Sequence, residues 1–209
     1  MRSTLWNDHS LVNFLKLDWT KQKLEQPDHP AYMAKLLEPY DLTGLDLLDV
    51  GCGIGRLAKY FPQCKYHGID QSEEMVADCQ AQGFDVKVGN IYRLSETVAS
   101  SDIVVCNAVI FHLGDPLKAM QELFAVTKQI CVISLVWRYL PRFHSGYVRY
   151  NCFENHDTGE SWPVPICTIH PINIYRMVKK LDPRDFDISF CDMAPWPKNH
   201  RIATVVLEK

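Results

Sequence analysis

A doubly wound α/β domain with a mostly parallel sheet is what this sequence predicts, and three observations predict it. Short apolar runs alternate with stretches of helical pattern from Leu45 onward. The runs are rich in valine and isoleucine, as strands covered on both faces require. The stretch LLDVGCGIGRLAKYF, residues 47–61, then sets three glycines at alternate positions directly after the first run. With 209 residues, 47% of them hydrophobic, the chain can fill one core, so a single domain over 1–209 is expected.

The elements follow in order. Two helices, near 10–24 and 30–40, precede the sheet and are split by EQPDHP. Strands are expected at 45–50, 65–69, 85–89, 102–110 and 130–136. Helical stretches fall at GRLAKYF, SEEMVADCQA and DPLKAMQELFAV. Ser72, followed by Glu73 and Glu74, brings a side-chain oxygen and two acids to the free N–H groups of its helix. Asp115-Pro116 opens the next helix, with proline inside the first turn. Residues 137–170 carry prolines, aromatics, arginines and histidines without a clean period, and read as an irregular lid after the fifth strand. A helix near 171–180 precedes the runs 186–193 and 201–208. Their connector, APWPKNH, is too short for a crossover helix, so they form a hairpin and the last strand is antiparallel. About seven strands result.

Composition narrows the function classes. A net charge of −3 gives no whole-molecule positive field to draw nucleic acid. Eight cysteines include no C-x-x-C pair, and a chain with its own core needs no disulfide framework, which points to a reducing, cytoplasmic compartment. Cys64/His67, Cys152/His156 and Cys167/His170 do not combine at zinc spacings, so no metal is expected. The opening MRSTLWNDHSLVNF lacks the apolar core of a secretory leader, and no apolar run reaches membrane-spanning length. No membrane partner is expected.

The glycines ask for a ligand. In an open α/β sheet, ligands sit at the carboxyl ends of the strands where strand order reverses. A loop without Cβ atoms can approach such a ligand and offer its N–H groups near a helix start. Asp70, in YHGIDQS at the end of the second run, stands where an acid would grip ribose hydroxyls. A dinucleotide site wants G-x-G-x-x-G, but Arg56 occupies the place of its third glycine. The pattern is instead acid-x-G-x-G-x-G. That argues against a nicotinamide oxidoreductase.

With Asp70, the VGNIY stretch and DIVVCNAVIFHLGDP following in that order, the chain resembles the class I S-adenosylmethionine-dependent methyltransferases. It is most similar in layout to the small, stand-alone members acting on small molecules. The likeness spans about 45–136 and, in outline, the final hairpin. It implies a Rossmann-like fold divided into an N-terminal helical cap (1–44), a cofactor-binding core (45–136), a substrate lid (137–170) and a C-terminal helix and hairpin (171–209). It also implies roles for individual residues. Gly51 and Gly53 would lie against the methionine part of the cofactor, and Asp49 would orient its amino group. Asp70 would accept from the ribose hydroxyls, and Gln71 would border the adenine. Asn90 would accept from the adenine amino group where many relatives carry Asp, and Ile91 would flank the ring. Asn107 would offer its backbone carbonyl to the methionine ammonium. Gly55 reads as helix packing rather than ligand contact. Asn90 has a second reading, as a turn cap, and Asp70 one as a neighbour of a surface helix cap.

The chemistry follows from the cofactor. A sulfonium methyl is already electrophilic, so the protein mainly aligns a nucleophile, which can supply on the order of 7–11 kcal/mol. His112, in VIFHL, is placed to act as general base or to line the pocket, with an unperturbed pKa near 6.5. Phe111 beside it reads as core or pocket wall. Arg138, Arg142 and Arg149, set among aromatics with no acid over 137–150, would suit a carboxylate or phosphate on the acceptor. Trp196 in the hairpin would line the acceptor pocket, and Tyr32 would close over the cofactor. Basic residues among aromatics also describe single-stranded RNA binding. The stretch is short, however, the protein is net acidic, and the fourth run lacks a Pro-Pro-aromatic signature. The expected activity is methyl transfer to oxygen or nitrogen of a small, anionic or aromatic acceptor. A catalytically silent cofactor-binding subunit and an RNA methyltransferase are the alternatives. Oligomeric state is left open.

Overall fold

The computed structural model describes residues 4–21, 29–138, 147–154, 158–191 and 201–209. Helices α1 (His9–Lys21) and α2 (His29–Leu37) precede the sheet. Strands β1 (Asp46–Val50), β2 (Lys65–Asp70), β3 (Asp85–Val88), β4 (Ser101–Cys106) and β5 (Thr127–Trp137) are parallel to one another. Helix α3 (Glu73–Ala81) links β2 to β3; α4 (Leu94–Thr97) precedes β4, and α5 (Pro116–Ala125) links β4 to β5. β6 (Tyr147–Glu154) and β7 (Ser161–Ile169) follow, then α6 (Pro171–Lys179), β8 (Asp185–Cys191) and β9 (Arg201–Glu208).

The strand order β3-β2-β1-β4-β5 reverses between β1 and β4, which places a crevice outside their carboxyl ends. β9 runs antiparallel along β5 from Ile130 to Trp137, and β8 pairs antiparallel with β9. The expected terminal hairpin is therefore present. Ser72 caps α3 by accepting from the Met75 amide, and Asp115 caps α5 by accepting from the Lys118 amide ahead of Pro116. The middle stretches of β4 and β5 are apolar: Ile103, Val104, Val105, Cys131, Val132 and Ile133 are all fully buried. Such runs suit a sheet covered on both faces.

Two expectations are corrected. GRLAKYF forms a single 3-10 turn, Ala58–Tyr60, rather than an α-helix. Gly55 and Pro62 leave fewer than two α-helical turns between them; Leu57 and Phe61 still reach the core with Met33 and Leu37 of α2. The stretch 137–170 is not irregular within the described residues. β6 and β7 form an antiparallel hairpin, so the described sheet has nine strands instead of about seven. β4 ends at Cys106, opposite Ile133, and β7 takes the β5 edge beyond it by pairing with Val136 and Trp137. Trp162, Val164 and Ile166 are buried in β7 while Ser161 and Pro163 are exposed, the alternation of a half-covered strand. Pro163 and Pro165 obscure that period in the sequence. Along most of β7 only β6 is paired, so prolines are tolerated where their missing N–H faces the unpaired edge. No described helix is long and apolar enough to cross a membrane.

Candidate functional site

β1 ends at Asp49–Val50, and the chain turns at once. Gly51 has φ 77°, and the amides of Gly51 and Cys52 both donate to the Ile69 carbonyl at the end of β2, at 2.7 and 3.1 Å. The turn is therefore tied to the neighbouring strand. A Cβ at Gly51 would lie 2.3 Å from Val109 Cγ2, so only glycine fits beneath the segment that follows β4. Gly53 is also left-handed, at φ 54°. Gly55, at φ 75°, has Phe84 and Cys79 Sγ within 3.1–3.4 Å of where a Cβ would stand.

Two carboxylates close the crevice floor. Asp70 Oδ2 accepts from the Gly53 amide and Oδ1 from the Ser72 amide, each at 2.9 Å. One side chain thus joins the glycine loop to the start of α3. Burial pushes the Asp70 carboxyl up, while the amides of Ser72, Gly53 and Gln71 pull it back. Asp49 is 3% exposed and accepts from Tyr66 Oη at 2.8 Å. Burial raises its pKa to about 7; the Tyr66 hydroxyl opposes that shift and the charge of Asp70 adds to it. A carboxyl held this way is incompletely compensated, and a cation placed beside it would restore its charge.

The opposite wall is the turn after β4. Asn107 and Ala108 are followed by a 3-10 turn, Ile110–His112. Ala108 takes φ 58°, uncommon for a residue with a side chain. His112 is half-buried, and its Nδ1 donates to the Pro165 carbonyl of β7 at 2.8 Å. A carbonyl can only accept, so Nδ1 carries the proton and Nε2 keeps its lone pair. A strand residue directs its N–H and C=O to the same side. Because proline has no N–H to satisfy there, the Pro165 carbonyl is presented on β7's unpaired edge, where His112 meets it. Burial lowers the His112 pKa to about 4, opposed by the Pro165 bond, so the ring is neutral at pH 7 instead of half-protonated near 6.5. Phe111 is core, 1% exposed.

Sequence reasoning missed the cover. Trp6 meets the His112 ring edge-on at 5.0 Å between centroids, and Phe14 stacks on Trp162 at 5.5 Å. Leu11, Val12 and Leu15 of α1 pack with Met75 of α3, with Trp162 and Val164 of β7 and with Ile54 of the glycine loop. Lys16 Nζ sits 2.7 Å from Glu74 and 2.6 Å from Asp78, and His9 adds a 2.8 Å contact to Glu74. The apolar spacing of Leu11, Val12 and Leu15 shows a packed face, but nothing in the sequence names its partners.

The remaining residues are placed as follows. Gln71 is exposed beside Asp70. Asn90 Oδ1 accepts from the Tyr92 amide at 3.0 Å and caps the 3-10 turn Ile91–Arg93, in which Ile91 is half-buried. Asn107 Oδ1 meets Ser134 Oγ at 3.4 Å. Tyr32 is half-buried on α2. Arg138 is exposed just past β5, its amide bonded to the Ile169 carbonyl, and Arg149 lies in β6 opposite Ile166. Arg142 and Trp196 lie outside the described residues.

Residues 48–133, from the first strand to the fifth, match the family model described as a methyltransferase domain. Over this segment the chain is similar to methyltransferase domains. The chain is 29% identical over 122 residues to a ubiquinone biosynthesis O-methyltransferase of Pseudomonas fluorescens, covering 53% of each chain. It is 32% identical over 89 residues to a tRNA (carboxymethyluridine(34)-5-O)-methyltransferase of Arabidopsis thaliana, covering 41% of this chain and 22% of that one. Among solved structures, it superposes on the S-adenosylmethionine-bound amino pentose methyltransferase of Micromonospora echinaspora with a TM-score of 0.65 at 14% identity, covering 93% of this chain and 96% of that one. The chain spans between 22% and 53% of the length of these curated relatives. S-adenosylmethionine is the cofactor of the class. The residues here fit it: the turn at Gly51 leaves no room for a side chain, and among the described residues the buried Asp49 carboxyl meets the Tyr66 hydroxyl and the charge of Asp70 but no positive charge of the kind an ammonium or sulfonium supplies.

Proposed function

We propose that this chain transfers the methyl group of S-adenosylmethionine to an oxygen or nitrogen of a small molecule. The observation that carries the reading is the convergence of Gly51, Gly53, Asp49 and Asp70 at the switch point of the sheet, with Asn107 and His112 on the facing turn. Gly51, Gly53 and Asp49 would hold the methionine part of the cofactor, Asp70 and Gln71 its ribose side, and Asn90 and Ile91 its base. When bound, the cofactor supplies an electrophilic methyl group, so the chain's own residues need only orient the acceptor and manage its proton.

His112 suits that duty in a particular way. Its Nδ1–H is held by Pro165, which fixes the ring and leaves Nε2 as a neutral acceptor for an O–H or N–H. With a pKa of about 4 it orients a hydroxyl or amine and takes the proton only as it becomes acidic during transfer. The neutral ring and the edge of Trp6 favour an acceptor with an uncharged, planar reacting end. Arg138, Arg142 and Arg149 are assigned to any carboxylate or phosphate at its far end, and Trp196 to the pocket wall.

Methyl transfer from labelled S-adenosylmethionine into a host lysate, split into small-molecule and macromolecular fractions, tests this. Label is expected in a small molecule. Label in RNA would keep the reaction class and replace the acceptor, in line with the tRNA methyltransferase among the relatives. No label in either fraction, despite cofactor binding, would make the chain a silent binding subunit.

A further inference from the structure

We propose that Ser134 is the positioning residue of the turn that walls the cofactor crevice; the inference rests on the reading that the crevice binds S-adenosylmethionine. β5 runs ICVISLVW from Ile130 to Trp137, and Ser134 is the one hydroxyl in that run, fully buried. A hydroxyl among aliphatic side chains costs free energy unless both its functions are bonded. Here both are used. Ser134 Oγ accepts from the Ala108 amide at 2.7 Å and donates to Asn107 Oδ1 at 3.4 Å.

Those two bonds grip the strained point of the turn. Ala108 sits at φ 58°, a conformation that persists only where the surroundings hold it. The next residue, Val109, presses its Cγ2 into the space a Cβ at Gly51 would fill. A hydroxyl on β5 therefore sets Asn107 and Ala108, and through Val109 sets how closely the β4 turn meets the glycine loop. Ser134 touches neither the glycine loop nor His112 through any of these bonds; it acts through the turn.

The test uses the full chain and S-adenosylhomocysteine in titration calorimetry, with amide hydrogen exchange at Ala108. Ser134→Ala is expected to weaken binding about tenfold, the worth of one to two buried hydrogen bonds, and to speed exchange at Ala108. Ser134→Thr, which keeps the hydroxyl, is expected to recover affinity to within about threefold of wild type. Ser134→Cys is close in shape with weaker hydrogen bonding; it carries the same expected loss should the alanine variant fail to fold. Thr204→Val is the control. It removes the buried hydroxyl paired across from Ser134 on β9 and is expected to leave affinity within about twofold. A wild-type chain that does not bind S-adenosylhomocysteine would overturn the cofactor reading and this proposal together. Wild-type binding with the Ser134→Ala affinity unchanged would overturn only the role of Ser134. So would a Thr204→Val loss as large as that of Ser134→Ala, since it would reduce the effect to packing.

Discussion

Replacing Asp49 with asparagine should make the protein more stable and less able to bind its cofactor. The folded carboxyl has a pKa of about 7 against an ordinary value of 3.8, chiefly because burial strips it of water. An acid whose pKa is raised on folding binds its proton more tightly in the folded state. Stability therefore falls as pH rises from the unfolded to the folded value, and stays low above it. A rise of roughly three pH units at about 1.36 kcal/mol each amounts to about 4 kcal/mol. The asparagine of the variant would keep an oxygen for the Tyr66 hydroxyl and carry no charge. Urea denaturation at a series of pH values should show the two proteins alike near pH 4, Asp49→Asn gaining through pH 7, and a flat advantage of up to about 4 kcal/mol at pH 8. His112 titrates in both proteins and cancels in the difference. The same change removes the charge that would meet an ammonium, so S-adenosylhomocysteine affinity should collapse where stability rises most. A difference independent of pH, or a wild type more stable than the variant at pH 8, would overturn this prediction.

Further outcomes follow from the same geometry. In the wild type, kcat/KM for S-adenosylmethionine should fall below about pH 7 as Asp49 takes up a proton, and Asp49→Asn should lack that limb; a profile still governed by a group near 7 in the variant would assign it elsewhere. His112→Ala should lower turnover far more than cofactor affinity, and full turnover would leave the ring as pocket lining. Gly51→Ala adds a Cβ 2.3 Å from Val109 at φ 77°, whereas Gly44→Ala, at φ 74°, meets nothing within 4 Å. Thermal denaturation should show Gly44→Ala losing only the left-handed strain of about 1–2 kcal/mol and Gly51→Ala losing more, along with cofactor binding.

Much of this site could be read from residue order. The glycine spacing, the acid at Asp49 and the acid at Asp70 one strand later placed the crevice before any coordinates did, because strand ends in an α/β sheet converge by topology. What Asp70 does within the protein was not legible. Its bond to Gly53 depends on the closeness of two segments 17 positions apart, brought together by the pairing of β1 with β2. The β6–β7 hairpin was hidden by Pro163 and Pro165, residues that normally argue against a strand, yet the second of these presents the carbonyl that orients His112. Phe14 escaped notice because a helix shows its apolar face and not what that face covers, and Trp6, in the 3-10 turn Thr4–Asn7 ahead of α1, belongs to no periodic pattern. The His112 pKa likewise depends on burial contributed by distant segments.

Every role assigned above turns on the crevice floored by Asp49, Gly51, Gly53 and Asp70 holding S-adenosylmethionine. Titration of S-adenosylhomocysteine into the wild type and into Asp70→Ala by calorimetry is the sharpest test. Binding to the wild type at one site per chain is expected, with a loss of about 1.5–3 kcal/mol, roughly tenfold to more than a hundredfold, in the variant. Equal affinity in the two proteins would rule out that role for the crevice.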